Sequence, residues 1–481
     1  MARTRSLSMI PGATRALAGT GSGDPSTELR LTPGLLVLAL LVGVLAGAGA
    51  VAFTYLIALV HNLSFYGRLS WQWSNTRFGP PSPWGWGIVL VPALGALLVR
   101  RVIGRSEPAA VGGGVTEVLE EIFGHQSRIR PRLAFWRPLA TAITLGTGGS
   151  AGDEGPAMQF GAAMASVLGR RADFSQHRTL LMACGSGAGI GAMFHAPIGA
   201  WLLVLELLLW PWRLRAALVT LMAVAAGSWC AASLDGSAFL LVSPHTPLAS
   251  WPHWVPIALL VGALAGATAL LFIHSIAWVE RLIRALTPRA WQGHVLAMLL
   301  LGVILITTYH WSGHYYLVAG SYAGSSALLQ GQIHGVVLLC TLLILKIAAT
   351  ALTLGSGGSG GIFSPALFVG AALGSLVATL VQILDPSLHL GALASLCAMA
   401  GLIAATSGGT LSAAAMVLEI TGNFGLVLPT LLAATSAYLL RRHFLTDSYF
   451  TLPLTRAGQG IPENLYQRYL TEKPCAVVDK R

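Results

Sequence analysis

The sequence predicts an all-α protein that crosses a membrane many times and is built from two repeats with broken helices. Three observations predict this. Hydrophobic residues fill 54% of the 481 positions and charged residues only 10%, at a mean hydropathy of +0.70. An ordinary soluble domain carries about 25% charged residues, so this chain has too little polar surface to coat a globule in water. The apolar runs are long, as at Leu35–Leu59, where membrane-barrel strands would alternate over about ten residues. Finally, a glycine-rich segment and an apolar segment carrying a glutamate recur in the same order in each half. Together these exclude a soluble enzyme, a secreted disulfide scaffold and a disordered chain.

In chain order, the first residues are polar and carry Arg3, Arg5 and Arg15, with no apolar core and cleavage site close behind. They read as a cytoplasmic tail (residues 1–32), not as a signal peptide. Apolar runs predict helices near residues 33–62, 86–103, 138–150, 156–169, 179–193, 197–212 and 214–232, a first membrane repeat spanning 33–232. A second repeat, 253–442, has runs near 253–280, 293–308, 335–354, 364–384, 388–405, 410–420 and 426–440. Several are too short to span ~30 Å of hydrocarbon at about 1.5 Å per residue, which marks helices that stop inside the membrane. The linker 233–252 and the more polar stretch 308–334 read as external loops, and 443–481 as a cytoplasmic pore-end segment and tail. The 56 glycines suit close helix contacts.

The net charge of +11 comes from 29 basic against 18 acidic residues. The basic residues stand between apolar runs, as at Arg100, Arg101 and Arg105, at Arg281, Arg284 and Arg289, and at Arg441 and Arg442. This is the positive-inside bias, which places these loops and both termini in the cytoplasm and calls for no nucleic-acid partner. The five cysteines are scattered with no CxxC pair, so neither a metal site nor a disulfide framework is indicated.

The repeat itself is ungapped. Gly146–Ser166 reads GTGGSAGDEGPAMQFGAAMAS and Gly355–Ser375 reads GSGGSGGIFSPALFVGAALGS, at an offset of 209. LLVLEL, ending at Leu207, and AMVLEI, ending at Ile420, follow them, so that Glu206 and Glu419 correspond at an offset of 213. Two motifs in the same order indicate a duplicated fold, whose substrate site falls where the halves meet near mid-membrane. Whether the halves run parallel or inverted is not written in the motifs.

Each repeat sets a glycine run and one or two special residues before a proline: Glu154-Gly155-Pro156 and Phe363-Ser364-Pro365. Proline suits the first turn of a helix, and glycine lets backbone approach an ion closely. The product is a helix N-terminus with free N–H groups facing a cavity, an anion site that needs no Lys or Arg; a tight helix bend without ligand is the alternative. Glu154 is the sharpest residue. A carboxylate in an apolar region costs roughly 2.5 kcal/mol or more and is functional by default. It can sit on the same helix end as an anion, compete with it, and yield when protonated: a gate, with proton carriage as a second role. A salt bridge to an arginine outside the membrane is the alternative. Glu206 and Glu419, near the ends of apolar helices, read as structural hydrogen-bonding groups. His195 in FHAP reads as a helix-start residue, and Lys346 as the partner of a carboxylate or helix end.

Gly148–Gly152 and Gly357–Gly361 also fit GxSxG, the nucleophile elbow of serine hydrolases. No histidine has the obvious placement for a base and a triad would not be duplicated, so a membrane-embedded hydrolase is a weak alternative and the chain reads as no enzyme. Neither HExxH nor GxxxxGK[ST] occurs.

At these residues the sequence resembles the CLC family of chloride channels and chloride/proton exchangers, from about residue 33 to 455. GGSAGDEGPAMQFGAA is similar to the family's GREGP segment, GGIFSPALFVGAALG to GGIFAP, FHAPIGAWLLVLEL to FNAPLAG…E, and Val111–Glu121 stands where GSGIPE is expected. Arg137 takes a basic position ahead of the gate segment. The resemblance implies a homodimer in a cell (inner) membrane, bacterial in type, with one pore per subunit and two inverted-topology halves of broken, tilted helices. It implies chloride and other small anions as substrate, with no cofactor beyond the bound ions, and protons as a second cargo. By motif, Glu154 is the gating glutamate; the amides of Ile362 and Phe363 hold the central anion, with Gly113, Gly114 and Gly155 around it. The departures matter. The family's coordinating serine falls on Gly113, its proline on Thr116, its GREGP arginine on Asp153, its inner proton-relay glutamate on Leu207 and its pore tyrosine on Phe450, with Tyr449 adjacent. The expectation is therefore channel-like or weakly proton-coupled anion transport with poor discrimination, a chloride/proton antiporter being the alternative.

Overall fold

The computed structural model describes residues 31–459 except 73–75, 108–109, 111, 124–128, 171–176, 210–213, 237–239, 242, 245–253 and 389. The expected N-terminal tail, most of the linker 233–252 and the end of the C-terminal tail therefore lie outside the described residues. Among the described residues there is no strand, and one isolated bridge joins Gly152 to Gly361.

The first repeat consists of α1 (Pro33–Tyr66), α2 (Leu90–Leu98, continued by a π-turn), α3 (Val115–Phe123), α4 (Leu133–Gly146), α5 (Glu154–Leu168), α6 (Arg178–Phe194), α7 (Pro197–Leu207) and α8 (Leu214–Asp235). The second consists of α9 (Trp254–Leu286), α10 (Ala290–Ser312), α11 (Tyr322–Leu329), α12 (Val336–Gly355), α13 (Phe363–Leu384), α14 (Gly391–Ser407), α15 (Thr410–Thr421) and α16 (Val427–Phe444), followed by α17 (Leu452–Arg456). Local chemistry sets the ends. Thr32 caps α1 by accepting from the Leu35 N–H at 3.3 Å, Pro33 opens it, and Gly67 ends it in the left-handed region. α5 and α13 begin at equivalent residues, 154 and 363. Among the described residues, eight helical stretches are long and apolar enough to cross a membrane, whereas α7, α14 and α15 are apolar but short. The chain is thus a multi-pass membrane protein. Two short helices escaped the hydropathy pattern: α3, whose apolar residues lie on one face, and α11, a buried helix inside the stretch that reads as an external loop.

The halves meet on a two-fold relation that the contacts themselves display. Gly152 and Gly361 stand 209 apart and exchange both N–H···O bonds at 2.8 Å in antiparallel sense. The Thr141 hydroxyl meets that of Ser359 at 2.8 Å, and their equivalents Thr350 and Ser150 meet at 3.0 Å. The Ser150 N–H donates to Thr353 Oγ1 at 3.0 Å, and the Ser359 N–H to Thr144 Oγ1 at 3.3 Å. Each of these contacts from residue i to j in the other half is answered by one from j's equivalent to i's, as an isologous pairing requires. Both GxSxG serines are spent here, buried against threonines.

Glu206 and Glu419 extend the same relation. Glu206, at the end of α7, accepts from the N–H groups of Leu411 and Ser412 at the start of α15, both at 3.0 Å. Glu419, at the end of α15, accepts from Ile198 and Gly199 at the start of α7, at 2.9 and 2.6 Å. The two short helices lie antiparallel and cap each other, satisfying orphan N–H groups in a place without water. Glycine allows the closest helix approach: a Cβ on Gly161 of α5 would strike the Gly185 carbonyl of α6, and one on Gly185 would strike that of Gly161.

Two expectations need correction. His195 closes α6 in the left-handed region and pairs with Asp235 at 3.1 Å; it does not start α7, whose cap position is Ala196. Lys346 meets no carboxylate: its Nζ donates to the carbonyls of Leu317 (3.1 Å) and Ala319 (2.7 Å) and to Ser321 Oγ (2.6 Å). The loop into α11 wraps the ammonium with oxygens, which is how a buried cation survives without a counter-charge.

Candidate anion site

The N-termini of α5 and α13 converge beside the Gly152–Gly361 bridge. Glu154 opens α5, and its carboxylate crosses to the other half: Oε1 accepts the Phe363 N–H at 2.6 Å, and Oε2 accepts the Ser364 hydroxyl at 3.1 Å. A Cβ on either Gly152 or Gly361 would collide with this carboxylate, so the glycine run has a specific purpose, to make room for Glu154. The side chain is 2% exposed. It occupies the helix end at which an anion would be bound, and the arginine alternative does not describe its partners. The Ile362 and Phe363 positions are buried, and the Phe363 ring packs on Phe194 with centroids 5.4 Å apart.

Asp153 is also buried, at 6% exposure. Its Oδ1 accepts from the Tyr322 hydroxyl at 2.8 Å and from Ser364 Oγ at 3.2 Å, and the two hydroxyls lie 2.6 Å apart. The sequence reading singled out neither Tyr322 nor Ser364 as a ligand. The signal available was the acidic pair Asp153-Glu154 itself, two carboxylates in an apolar stretch that need donors from somewhere.

The second wall is the loop before α3. Gly113 and Gly114 lie beside Gly155: a Cβ on Gly155 would strike the Gly113 carbonyl, and one on Gly114 would meet the Gly155 carbonyl. The Gly114 N–H donates to Glu117 Oε2 at 2.7 Å, and Glu117 Oε1 accepts from Arg137 at 2.8 Å. The start of α3 is thus held by its own carboxylate and a buried arginine. Thr116 Oγ1 donates to the Phe450 carbonyl at 3.1 Å, joining this wall to the pore-end segment. That segment is fixed by the Tyr449 N–H to the Thr406 carbonyl (3.0 Å) and by Arg441 Nη1 to the carbonyls of Leu445 (3.1 Å) and Thr446 (3.3 Å). Phe450 is buried, and Tyr449 lies within electrostatic reach of Glu117 and Glu154. Leu207 ends α7, buried, while its neighbour Glu206 is occupied in capping α15.

The chain is similar to known proteins. The chain is 30% identical over 369 residues to the voltage-gated ClC-type chloride channel ClcB of Yersinia pseudotuberculosis, covering 74% of this chain and 86% of that one. It is 26% identical over 457 residues to the H(+)/Cl(-) exchange transporter ClcA of Vibrio parahaemolyticus, covering 89% and 92%. The crystal structure of a slow cyanobacterial Cl−/H+ antiporter has the same fold, at a TM-score of 0.75 and 21% identity over 89% of this chain and 99% of that one. The family model described as voltage gated chloride channel matches residues 89–442. With two inverted halves meeting at paired helix ends and that match across most of its length, the chain belongs to the voltage gated chloride channel (CLC) family.

Proposed function

We propose that this protein carries chloride and related small anions across a membrane through a pore at the repeat interface, that Glu154 is its gate, and that anion movement is exchanged against protons. The observation that carries the reading is the Glu154 carboxylate seated on the Phe363 N–H at the α13 N-terminus. An anionic side chain there competes with an anion for the same donor; protonated, it no longer does. Gly113, Gly114, Gly155, Ile362 and Phe363 form the surrounding anion seat, and Tyr449, not Phe450, is the pore hydroxyl. The relative named as an exchange transporter and the antiporter fold support exchange over the channel-like expectation from sequence. Exchange requires an inner proton acceptor other than Leu207, since a leucine side chain has no titratable group. A homodimer, an inner-membrane location with both termini cytoplasmic, and the division into repeats 33–232 and 253–442 belong to the same proposal.

Channel-like conduction is the second reading, favoured by the apolar, buried Leu207. Purified protein in sealed vesicles separates the two. Under exchange, an outward chloride gradient drives protons inward against their own gradient. Chloride flux without uphill proton movement refutes exchange and supports conduction, and absence of any anion flux refutes both.

A further inference from the structure

A gate carboxylate that takes up a proton must release it again, yet Glu154 is almost sealed from water. Its nearest outlet is not solvent but a second acid. Ser364 Oγ lies 3.1 Å from Glu154 Oε2 and 3.2 Å from Asp153 Oδ1, so one hydroxyl bridges the two carboxylates. We propose that Asp153 is the outer proton acceptor of the gate, exchanging the Glu154 proton through the Ser364 hydroxyl with water on the face formed by residues 67–72 and 76–84 (the 67–84 face). This deepens the reading of Glu154 as the gate and rests on it.

The bridge works in both protonation states without moving a heavy atom. With Glu154 protonated, its O–H donates to Ser364 Oγ while the Ser364 O–H donates to the Asp153 carboxylate. Transfer breaks the Glu154 O–H bond and forms a new one at Ser364, as the original serine proton passes to Asp153. The serine ends neutral, Glu154 ends as carboxylate and Asp153 as carboxylic acid. Rotation of the hydroxyl resets the bridge. The Tyr322 O–H, at 2.8 Å from Asp153 Oδ1, stabilises the Asp153 carboxylate before transfer. Two adjacent carboxylates sharing a single proton is the arrangement that like charges favour.

Asp153 reaches water where Glu154 does not. A cavity of about 60 Å³ is walled by Asp153 and Tyr322 and by neither Glu154 nor Ser364. Tyr66, Arg77, Phe78 and Gly79 also line it, and the same four residues line an adjoining surface basin of about 530 Å³. The shared lining sets the cavity next to the basin, so the proposed route for the proton runs from the 67–84 face by way of the basin and the cavity to Asp153, and from there through the Ser364 hydroxyl to Glu154. The ionisable groups facing the path are His61 and Tyr66 on α1, Tyr322 on α11, and Arg68, Arg77, Tyr315 and Tyr316 from loops, while Tyr449 interacts electrostatically with Glu154.

The two-fold relation argues against a merely structural role. The serine and threonine contacts at the axis recur in both halves, but the equivalents of Asp153, Glu154 and Ser364 are Ile362, Phe363 and Gly155. The acidic pair and its bridge exist on one side only, and a buried acid that packing does not require is expensive to keep.

The test uses the full chain, oriented one way in vesicles, with chloride flux followed after a pH step on one face at a time. In Asp153→Asn and in Ser364→Ala, the response to a step on the 67–84 face slows about tenfold or more, the scale of a lost proton-transfer group, while the response to the opposite face keeps its rate. Equal slowing on both faces reveals a structural role and overturns the proposal, as does a wild-type response on the 67–84 face in both variants. Should Asp153→Asn not fold, Ser364→Ala decides alone, since it breaks the bridge and leaves both acids. Glu154→Gln separates the two levels: if it too keeps the wild-type pH response, the gate reading fails and not only the relay.

Discussion

At residue scale the protein turns on one carboxylate with few donors. Glu154 is held by a backbone N–H and a hydroxyl from the opposite repeat, and glutamine would keep its shape while removing the charge that we propose competes with an anion. Glu154→Gln is expected to raise anion flux at neutral pH, to remove its pH dependence and to stop uphill proton movement, all read in vesicles; unchanged, pH-sensitive flux means that Glu154 is not the gate. Gly113 is the second decisive residue. A Cβ there would meet only the Gly360 carbonyl, at 4.0 Å, so a serine side chain fits, unlike at Gly112 and Gly114, where positive φ favours glycine. Gly113→Ser supplies the hydroxyl that the motif lacks. Chloride binding should tighten about tenfold, the yield of one hydrogen bond of roughly 1.5 kcal/mol to a charged group, and chloride should be preferred over nitrate more strongly. Calorimetry measures both, and an unchanged affinity would place residue 113 out of reach of the ion.

At the scale of elements, α7 and α15 depend on each other because each ends in the glutamate that caps the other's start. Replacing either carboxylate by an amide turns one acceptor into a donor aimed at backbone N–H groups. Glu206→Gln and Glu419→Gln should each lower stability by about 1–3 kcal/mol, the cost of a buried polar mismatch, seen as a lower unfolding temperature in detergent. A loss in one variant only would contradict the mutual capping. Several element starts were legible: proline at the start of α7 and the matching starts of α5 and α13 are local signals that act within a turn, whereas α1 runs to Tyr66, past the end of its apolar run at residue 62. α3 and α11 were not legible, because they are short, and only burial between other helices, not a long hydrophobic run, marks them as part of the membrane domain.

At the scale of the molecule, the two-fold axis passes through small polar residues instead of through a hydrophobic seam. Thr141 and Thr350 are both buried and both hold a serine of the other half. Thr141→Val and Thr350→Val keep the volume and remove a hydroxyl, so each should cost about 1 kcal/mol. Thermal unfolding of the two single variants and the double variant checks this; a variant as stable as wild type would mean that its pair contributes nothing to joining the halves.

The sequence by itself determined that the chain lies in a membrane and that it is duplicated, and it singled out Glu154 as a candidate site residue and Glu206 and Glu419 as candidate hydrogen-bonding groups. Each follows from composition, from a repeat at a fixed offset, or from the cost of a charge in an apolar run, none of which needs a partner to be known. Only the tertiary structure decided the partners. Phe363 lies 209 residues from Glu154; Lys346 is satisfied by backbone carbonyls that carry no side-chain signature; and Asp153 reads as a missing arginine until Ser364 and Tyr322 come to rest beside it. A buried charge announces that it must be compensated, but what compensates it is set by which segments fold against it, and in this fold those come from the other half of the chain.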